Sequence, residues 1–430
     1  MPTGLWYVAL GALFVAYALG ASRLNRANIT GQMVFLALGA MTGLFGLADP
    51  SADLDPETFL TLITLTLVLL LFSDASNVGL APLRRTANLP LRLLLVGLPL
   101  TILFGALGAW GVLAPEALGI ALLIGVILAP TDVSLGLAMF GNERVPARVR
   151  RSINVESGLN DGVAAPLVAI AIAVVLAEAE QLSAPIVDAV VSIGLGAIAG
   201  IAIGAVGGAL MRVSRARDWS TLHTRGFASF GLAVLAYVAS EWIGGNGFVA
   251  AFVAGLIFGA VAGDEARDPV GFTEEAGTLL GLLVWFASGA LIAPRLLSDG
   301  WAWQPILYAV LSLTLFRMLP VAISMWRSGL ASSTQVFMGW FGPRGLASVV
   351  FLLHAVFALE EGGVGTGLLV STVGWTVVLS VLLHGVSAGP VAAWYAHTSA
   401  RFRPGSPEFE DSPEPTPRAG DMLQNAAKSG

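Results

Sequence analysis

Inside the fifth apolar segment of this chain the sequence reads LAPTD at residues 128–132, and inside the twelfth it reads FGPRG at residues 341–345. Each stretch puts a proline beside a charged residue near the middle of a segment that is otherwise apolar. Proline removes a hydrogen bond from a helix interior, so both helices are predicted to break here. Two broken membrane helices are typical of proteins built from inverted repeats, whose substrate site lies where the breaks cross.

The neighbouring segments carry a second pair of matching prolines. Pro99 lies in the fourth segment and Pro320 in the eleventh, and their separation along the chain is close to that of Pro130 and Pro343. Because the members of each pair are an odd number of helices apart, the related helices run in opposite directions, as an inverted repeat requires. The alternative is coincidence, since Gly and Pro are common in membrane helices. We favour the repeat because charges accompany both breaks.

The composition indicates a polytopic membrane protein. Of 430 residues, 56% are hydrophobic and 12% are charged, and the mean hydropathy is +0.80, whereas soluble domains carry about 25% charged residues. Lipid cannot satisfy open backbone groups, so the fold class is predicted to be all-α. About thirteen apolar segments are predicted to span the membrane, at approximately residues 5–21, 29–47, 58–78, 91–112, 117–140, 152–177, 186–211, 226–243, 247–261, 275–296, 302–327, 333–357 and 365–396.

Charged loops predict the orientation in the membrane. Most arginines follow odd-numbered segments, for example at residues 23–26, 84–85 and 144–151, and acidic residues occupy the alternate loops. By the positive-inside rule the N-terminus lies outside a cytoplasmic (inner) cell membrane and the C-terminus lies in the cytoplasm. From about residue 398 the composition changes to Pro, Glu, Ser and Gly, which predicts a disordered cytoplasmic tail over residues 398–430.

The sixth segment carries the sequence ESGLND at residues 156–161. A charged group at that depth costs at least about 3 kcal/mol on insertion scales, so it rarely persists without a task. On a helix, Ser157 and Asp161 are one turn apart on one face, and Glu156 and Asn160 form a second pair on the adjacent stripe. The helix therefore presents a wall of oxygen ligands, which suits hard monovalent cations better than transition metals.

Six charged residues lie deep in apolar segments, namely Asp74, Asp132, Glu156, Asp161, Arg317 and Arg344. Arg317 is the predicted partner of Glu156, because arginine forms a well-specified pair with a carboxylate. This leaves Asp161 as the exchanging carboxylate, which can hold a proton or a metal cation but not both well. Asp132 and Arg344 are predicted to offset the helix-dipole ends at the breaks, and Asp132 is also a candidate ion-binding residue. The alternative for Asp161 is a buried aspartate that an arginine holds for helix packing.

Other kinds of site find little support in the sequence. There is no cysteine, and the four histidines form no ligand spacing, so we expect no cofactor. No P-loop occurs, which disfavours an ATP-driven pump. We expect neither an enzyme nor a nucleic-acid partner, and the motifs of intramembrane proteases are missing. His354 and His384 are interpreted as core histidines with satisfied hydrogen bonds rather than as pH sensors.

Four motifs resemble the cation:proton antiporter superfamily, specifically its NhaP and NHE-type branch. They are PTD at residues 130–132, ESGLND at 156–161, LFRMLP at 315–320 and GPRG at 342–345, in the order and spacing of that family. The resemblance implies exchange of Na⁺ (or Li⁺) for H⁺, with the ion held by Asp161, Ser157 and the main-chain carbonyl of Thr131. Glu156 would act through water or through its arginine. Asn160 marks the electroneutral branch, in which one cation exchanges for one proton.

The resemblance also implies the NhaA-like antiporter fold and its domain organisation. Core helices would lie within residues 91–180 and 299–397, and dimerisation-domain helices within 1–90 and 181–298. A homodimer with elevator-type alternating access would follow, with a role in sodium and pH homeostasis. The alternatives are a K⁺/H⁺ exchanger on the same scaffold and, from a different class, a cation channel with transporter ancestry.

Overall fold

The computed structural model describes residues 5–46, 56–78, 88–115, 117–136, 139, 142–180, 183–298, 303–403 and 405–410. Over these residues the chain is helical and contains no β-strand, which confirms the predicted all-α class. Each of the thirteen predicted segments contains a helix, and the helices are numbered here in that order.

Eleven segments form a single helix or nearly so: α1 (Leu5–Arg26), α2 (Gly31–Leu44), α3 (Pro56–Asn77), α4 (Asn88–Leu113, with a π-helical turn at Leu93–Gly97), α6 (Ala147–Glu180), α7 (Ala184–Ala216), α8 (Leu222–Trp242), α9 (Gly247–Ala262), α10 (Arg267–Ser298), α11 (Trp303–Ser324, interrupted at Thr314) and α13 (Gly367–Ser399). The other two are discontinuous. Helix α5 (Leu118–Ile127) leads into non-helical backbone and a short 3-10 turn at Val133–Gly136, and α12 consists of α12a (Ser332–Trp340) and α12b (Leu346–Glu361).

Seven of the described helices are long and apolar enough to cross a membrane, judged by length and composition: α3, α4, α6, α7, α10, α11 and α13. The apolar helices α2, α5 and α9 are shorter. Helix α5 is short because the chain leaves helical geometry after Ile127, shortly before Pro130. The orientation of the termini stays a prediction, and loop residues 47–55 and 79–87, which contribute to it, lie outside the described residues.

The helices pack in two groups. In the first, α9 packs against α3, α7 and α8, and α10 packs against α2, α3 and α8. In the second, α5 packs between α4 and α6, while α13 packs against α11 and α12b. The groups meet where α6 contacts α3 and α9, and where α12b contacts α3 and α10. Helices α6 and α12b, which flank the predicted site, therefore lie at the boundary.

Glycines allow the closest helix approach in the first group. A Cβ atom at Gly196 would lie 2.5 Å from the carbonyl oxygen of Asn246, and one at Gly200 would lie 2.6 Å from that of Ala250. Small residues let membrane helices pack backbone to backbone, where dispersion contacts replace the hydrophobic effect. The glycine-rich stretch of α7 is thus a packing surface for α9.

The first part of the predicted disordered tail is ordered. Residues 407–409 form a 3-10 turn, and the Glu408 side chain is only 2% exposed. Its Oε1 accepts hydrogen bonds from Ala331 N and Thr334 Oγ1, both at 2.8 Å, at the start of α12a. The N-terminus of a helix exposes N–H groups that need acceptors, so a carboxylate from elsewhere in the chain can cap it.

Arg148 ties the same turn to α6. Its guanidinium donates to the Pro407 carbonyl oxygen and pairs with the Glu410 carboxylate at 2.8 Å. The prediction of disorder from residue 398 onward is therefore corrected for residues 398–403, where α13 continues to Ser399 and ends in a turn. It is also corrected for residues 405–410, where charge and helix-end contacts outweigh composition. Residues 411–430 lie outside the described part of the chain.

Candidate functional site

The breaks of α5 and α12 contact each other directly. Asp132 N donates to the Pro343 carbonyl oxygen at 2.8 Å, and Ser348 Oγ donates to the Ile127 carbonyl oxygen at 2.8 Å. Gly345 permits this approach, because a Cβ atom at its position would overlap the Asp132 side chain. The structure thus brings together the two sequence stretches that were predicted to cross.

At the crossing, a charged side chain lies at the C-terminal end of α5 and another lies at the N-terminal end of α12b. Arg344 is fully buried, and its Nη1 donates to the carbonyl oxygens of Ala129 at 2.8 Å and Pro130 at 3.3 Å, just beyond the C-terminal end of α5. Asp132 Oδ2 accepts from Leu346 N, at the start of α12b, at 3.3 Å. Helix C-termini carry partial negative charge and N-termini partial positive charge, so each group faces the end of opposite sign.

Backbone contacts occupy both oxygens of Asp132. Besides the contact from Leu346 N, Oδ1 accepts from Ser134 N at 2.8 Å. Asp132 was also included among the predicted ion-binding residues. The observed contacts favour its other predicted role, the offset of helix dipoles.

The wall of polar groups on α6 faces the break of α5. Ser157 Oγ donates to the Thr131 carbonyl oxygen at 2.7 Å and accepts from Val133 N at 3.1 Å. Asn160 Nδ2 donates to Thr131 Oγ1 at 2.7 Å. Asn160 Oδ1 is buried and has no hydrogen-bond partner among the described residues. Three predicted site residues therefore form one connected group between α5 and α6.

Asp161 lies one helical turn beyond Ser157 on α6. It is partly exposed, whereas the neighbouring Glu156, Ser157 and Asn160 are 1–2% exposed. The adjacent Gly162 packs so closely on the Phe252 ring of α9 that a Cβ atom would overlap the ring. Asp161 therefore lies at the boundary between the two helix groups, with its Oδ1 atom buried.

Glu156 and Arg317 form a bidentate ion pair. Arg317 Nη1 lies 2.6 Å from Glu156 Oε1 and Nη2 lies 2.9 Å from Oε2, and both side chains are 1% exposed. Gly342 leaves room for Arg317, since a Cβ atom at its position would overlap the guanidinium. The contact has the geometry expected of this pair from sequence, while the part that either residue plays in ion exchange stays a prediction.

Helix α13 contributes residues to the crossing that the sequence analysis did not assign to the site. Ser380 Oγ accepts from Arg344 N at 2.6 Å, and His384 Nε2 lies 2.9 Å from the Trp340 carbonyl oxygen. The signal for them in the sequence is weak: Ser380, His384 and Ser387 recur at helical spacing in an apolar segment. Such a stripe does not reveal which helix it contacts.

Comparison with known proteins identifies the family of the chain. The family described as "Sodium/hydrogen exchanger, transmembrane" matches residues 9–394. The K(+)/H(+) antiporter NhaP2 of Shewanella oneidensis is 27% identical over 393 residues, which cover 89% of this chain and 65% of the relative. The Na(+)/H(+) antiporter ApNhaP of Aphanothece halophytica is 25% identical over 396 residues, covering 87% of this chain and 72% of the relative.

The same fold occurs in a solved structure. The sodium proton antiporter MjNhaP1 from Methanocaldococcus jannaschii matches with a TM-score of 0.73 at 20% sequence identity, covering 91% of this chain and 99% of that one. This likeness confirms the predicted NhaA-like fold. The chain spans about 65% of the length of the NhaP2 relative. Because the family match extends over nearly the whole chain, the protein belongs to the sodium/hydrogen exchanger family of membrane proteins.

Proposed function

We propose that the protein exchanges Na⁺ (or Li⁺) for H⁺ across a cytoplasmic membrane, with the cation and the proton competing for the Asp161 carboxylate. The observation that carries the proposal is the ion pair of Glu156 with Arg317. A bidentate arginine neutralises the neighbouring acid Glu156, and Asp161 is the other carboxylate of the α6 wall, so we assign the exchange to Asp161. A partly exposed aspartate beside a row of polar oxygens can hold either a cation or a proton.

The oxygens beside Asp161 supply the other ligands in this proposal. Ser157 Oγ and the Thr131 carbonyl oxygen are bonded to each other at 2.7 Å, and both are buried. A bound cation would replace that hydrogen bond and draw on both oxygens. Asn160 is uncharged and holds Thr131 from the other side, so the wall contributes one titratable group at Asp161 beyond the neutralised Glu156. One proton per cation follows.

Alternating access would use the boundary between the two helix groups. We propose that α4–α6 and α11–α13 form a core that moves against the other helices in an elevator-type motion, within a homodimer. Asp161 lies at that boundary, as does the contact of Gly162 with Phe252. A shift of the core along this surface would change the side from which Asp161 is reached.

The cation preference can be tested by exchange measurements in proteoliposomes. A pH-sensitive dye would report proton movement driven by Na⁺, Li⁺, K⁺ or choline across a pH series. We expect Na⁺ and Li⁺ to drive proton movement and choline to drive none. The name of the Shewanella relative favours K⁺/H⁺ exchange as a second candidate. Activity with K⁺ alone would establish that candidate, and no activity with any of the three cations would contradict antiport.

Transport is expected to be insensitive to membrane potential. One cation exchanged for one proton moves no net charge, whereas a potential of 100 mV is worth about 2.3 kcal/mol per charge moved. A rapid Na⁺ jump on protein-containing membranes should therefore give dye-detected proton flux without a transport current. Empty membranes give the capacitive background. A clear current that rises with the proton flux would overturn the one-to-one stoichiometry.

A further inference from the structure

Three polar residues lie on one face of α13 and all contact the break of α12. Ser380, His384 and Ser387 follow each other at spacings of four and three, which places them on a single helix face. Trp340, the last residue of α12a, donates from Nε1 to Ser387 Oγ at 3.0 Å, and Arg344, near the other end of the break, donates from its backbone N to Ser380 Oγ at 2.6 Å. This face of α13 therefore holds the break on both sides.

His384 occupies the middle of this face and is 1% exposed. Its ring stacks on the Trp340 ring with centroids 5.0 Å apart. Nε2 lies 2.9 Å from the Trp340 carbonyl oxygen, which belongs to the last turn of α12a and has no continuing helix to bond it. That carbonyl oxygen accepts from Gly342 N at 2.7 Å, and an N–H on Nε2 supplies its second hydrogen bond; without the ring donor, the carbonyl would keep only the bond from Gly342 inside the protein.

The hydrogen bonds can run in one direction through the face. Ser380 Oγ accepts from Arg344 N, and its own hydroxyl lies 3.4 Å from His384 Nδ1, to which it can donate. His384 Nε2 then donates to the Trp340 carbonyl oxygen. The main-chain carbonyl oxygen of Ser380 lies 2.9 Å from Nδ1. It is also the acceptor of the regular α-helical hydrogen bond within α13. Both ring nitrogens thus lie 2.9 Å from a carbonyl oxygen, and the hydrogen bond that reaches the break of α12 requires the ring to carry a hydrogen on Nε2.

We infer that His384 is a positioning residue for cation binding, acting through the break of α12 on the carbonyl groups of the α5 break. The chain of contacts is short. Arg344, held at its backbone by Ser380, donates to the carbonyl oxygens of Ala129 and Pro130. The next carbonyl along the chain is that of Thr131, which the proposed function makes a cation ligand. The inference thus rests on the proposed function and adds a residue that does not itself contact the transported cation.

Two substitutions separate the hydrogen bond from the bulk of the ring. His384→Phe keeps an aromatic ring against Trp340 but removes the Nε2 donor, whereas His384→Gln loses the ring and places an amide N–H near the same position. Thr376→Val is the matched control. Thr376 is a fully buried residue of the same helix whose hydroxyl bonds within α13, to the Thr372 carbonyl oxygen.

The full chain would be measured in two ways. In proteoliposomes, the Na⁺ concentration that gives half-maximal proton flux (KM) and the maximal rate are determined. In detergent, the shift of the melting temperature by Na⁺ reports binding without transport. For His384→Phe we expect KM to rise about tenfold, the loss typical of residues that orient a metal ligand, with the maximal rate little changed and a smaller Na⁺-induced shift. His384→Gln and Thr376→Val should keep the KM of the unaltered protein.

The outcomes distinguish positioning from simple packing. If His384→Phe lowers the melting temperature but keeps both KM and the Na⁺-induced shift, His384 only fills the core and the inference is wrong. If His384→Gln is as impaired as His384→Phe, the N–H is not the feature that matters, which also contradicts it. Should His384→Phe fail to fold, Ser380→Ala removes the acceptor of Arg344 N and must raise KM in its place. The unaltered protein tests the proposed function separately, since absence of its own Na⁺-driven flux would refute antiport.

Discussion

Replacing Asp161 by asparagine is expected to reduce cation-driven proton movement to the level of empty proteoliposomes while the protein stays folded. Asparagine has nearly the shape of aspartate but neither titrates nor carries charge, so it can hold no proton for exchange and attracts a cation far less. Asp161 is partly exposed at the boundary of the helix groups, and the substitution leaves the buried ion pair of Glu156 with Arg317 in place. The measurement is dye-detected proton flux on addition of Na⁺, Li⁺ and K⁺ in turn, together with size-exclusion and melting profiles.

Asp188→Asn is the matched control for this substitution. Asp188 lies on α7 and is exposed, so the same change in charge and shape is made away from the crossing. Its flux should equal that of the unaltered protein. Sodium-dependent proton movement at the full rate in the Asp161→Asn protein would contradict the competition mechanism, because a group other than Asp161 would then have to exchange the proton.

The crossing of α5 and α12 could be predicted because its determinants are local. Proline removes a hydrogen bond from a helix, and although α6, α10 and α13 each continue through a proline, at the two breaks the proline stands beside a charge. The charges of Asp132 and Arg344 need a nearby helix end or partner in lipid. The structure places both charges at helix ends of opposite sign. The pairing of Glu156 with Arg317 could be predicted for a similar reason, since few other charged groups lie at that depth to neutralise either residue.

The contacts of His384 and Glu408 could not be predicted in this way. His384 reaches the end of α12a, 44 residues away along the chain, and nothing in its local sequence names that partner. Glu408 sits in a stretch whose composition indicates disorder, yet it caps the start of α12a, 74 residues earlier. In both cases a polar side chain forms a hydrogen bond with a group at a helix end that is distant along the chain. Only the tertiary structure brings the side chain and that helix end together.

Removing one member of the Glu156–Arg317 pair is expected to be the most destabilising change at the site. Both side chains are 1% exposed, and Arg344 lies within electrostatic reach of both. Glu156→Gln would leave the Arg317 charge buried beside another guanidinium. Breaking a buried pair from one side typically costs about 3–5 kcal/mol. Thermal unfolding in detergent, followed by the fluorescence of the tryptophans, should show a large drop in melting temperature for Glu156→Gln and for Arg317→Met.

The double variant decides whether the loss comes from the unpaired charge. With Glu156→Gln and Arg317→Met together, neither charge of the pair remains, so the melting temperature should recover much of the loss. The double-mutant cycle should then show coupling between the two residues. Glu410→Gln is the matched control, because it breaks the ion pair with Arg148 at a carboxylate that is 62% exposed, where such pairs contribute about 1 kcal/mol or less. If Glu156→Gln were no more destabilising than Glu410→Gln, Arg317 would not need its partner, and Glu156 itself would have to be reconsidered as a carboxylate that binds the transported cation.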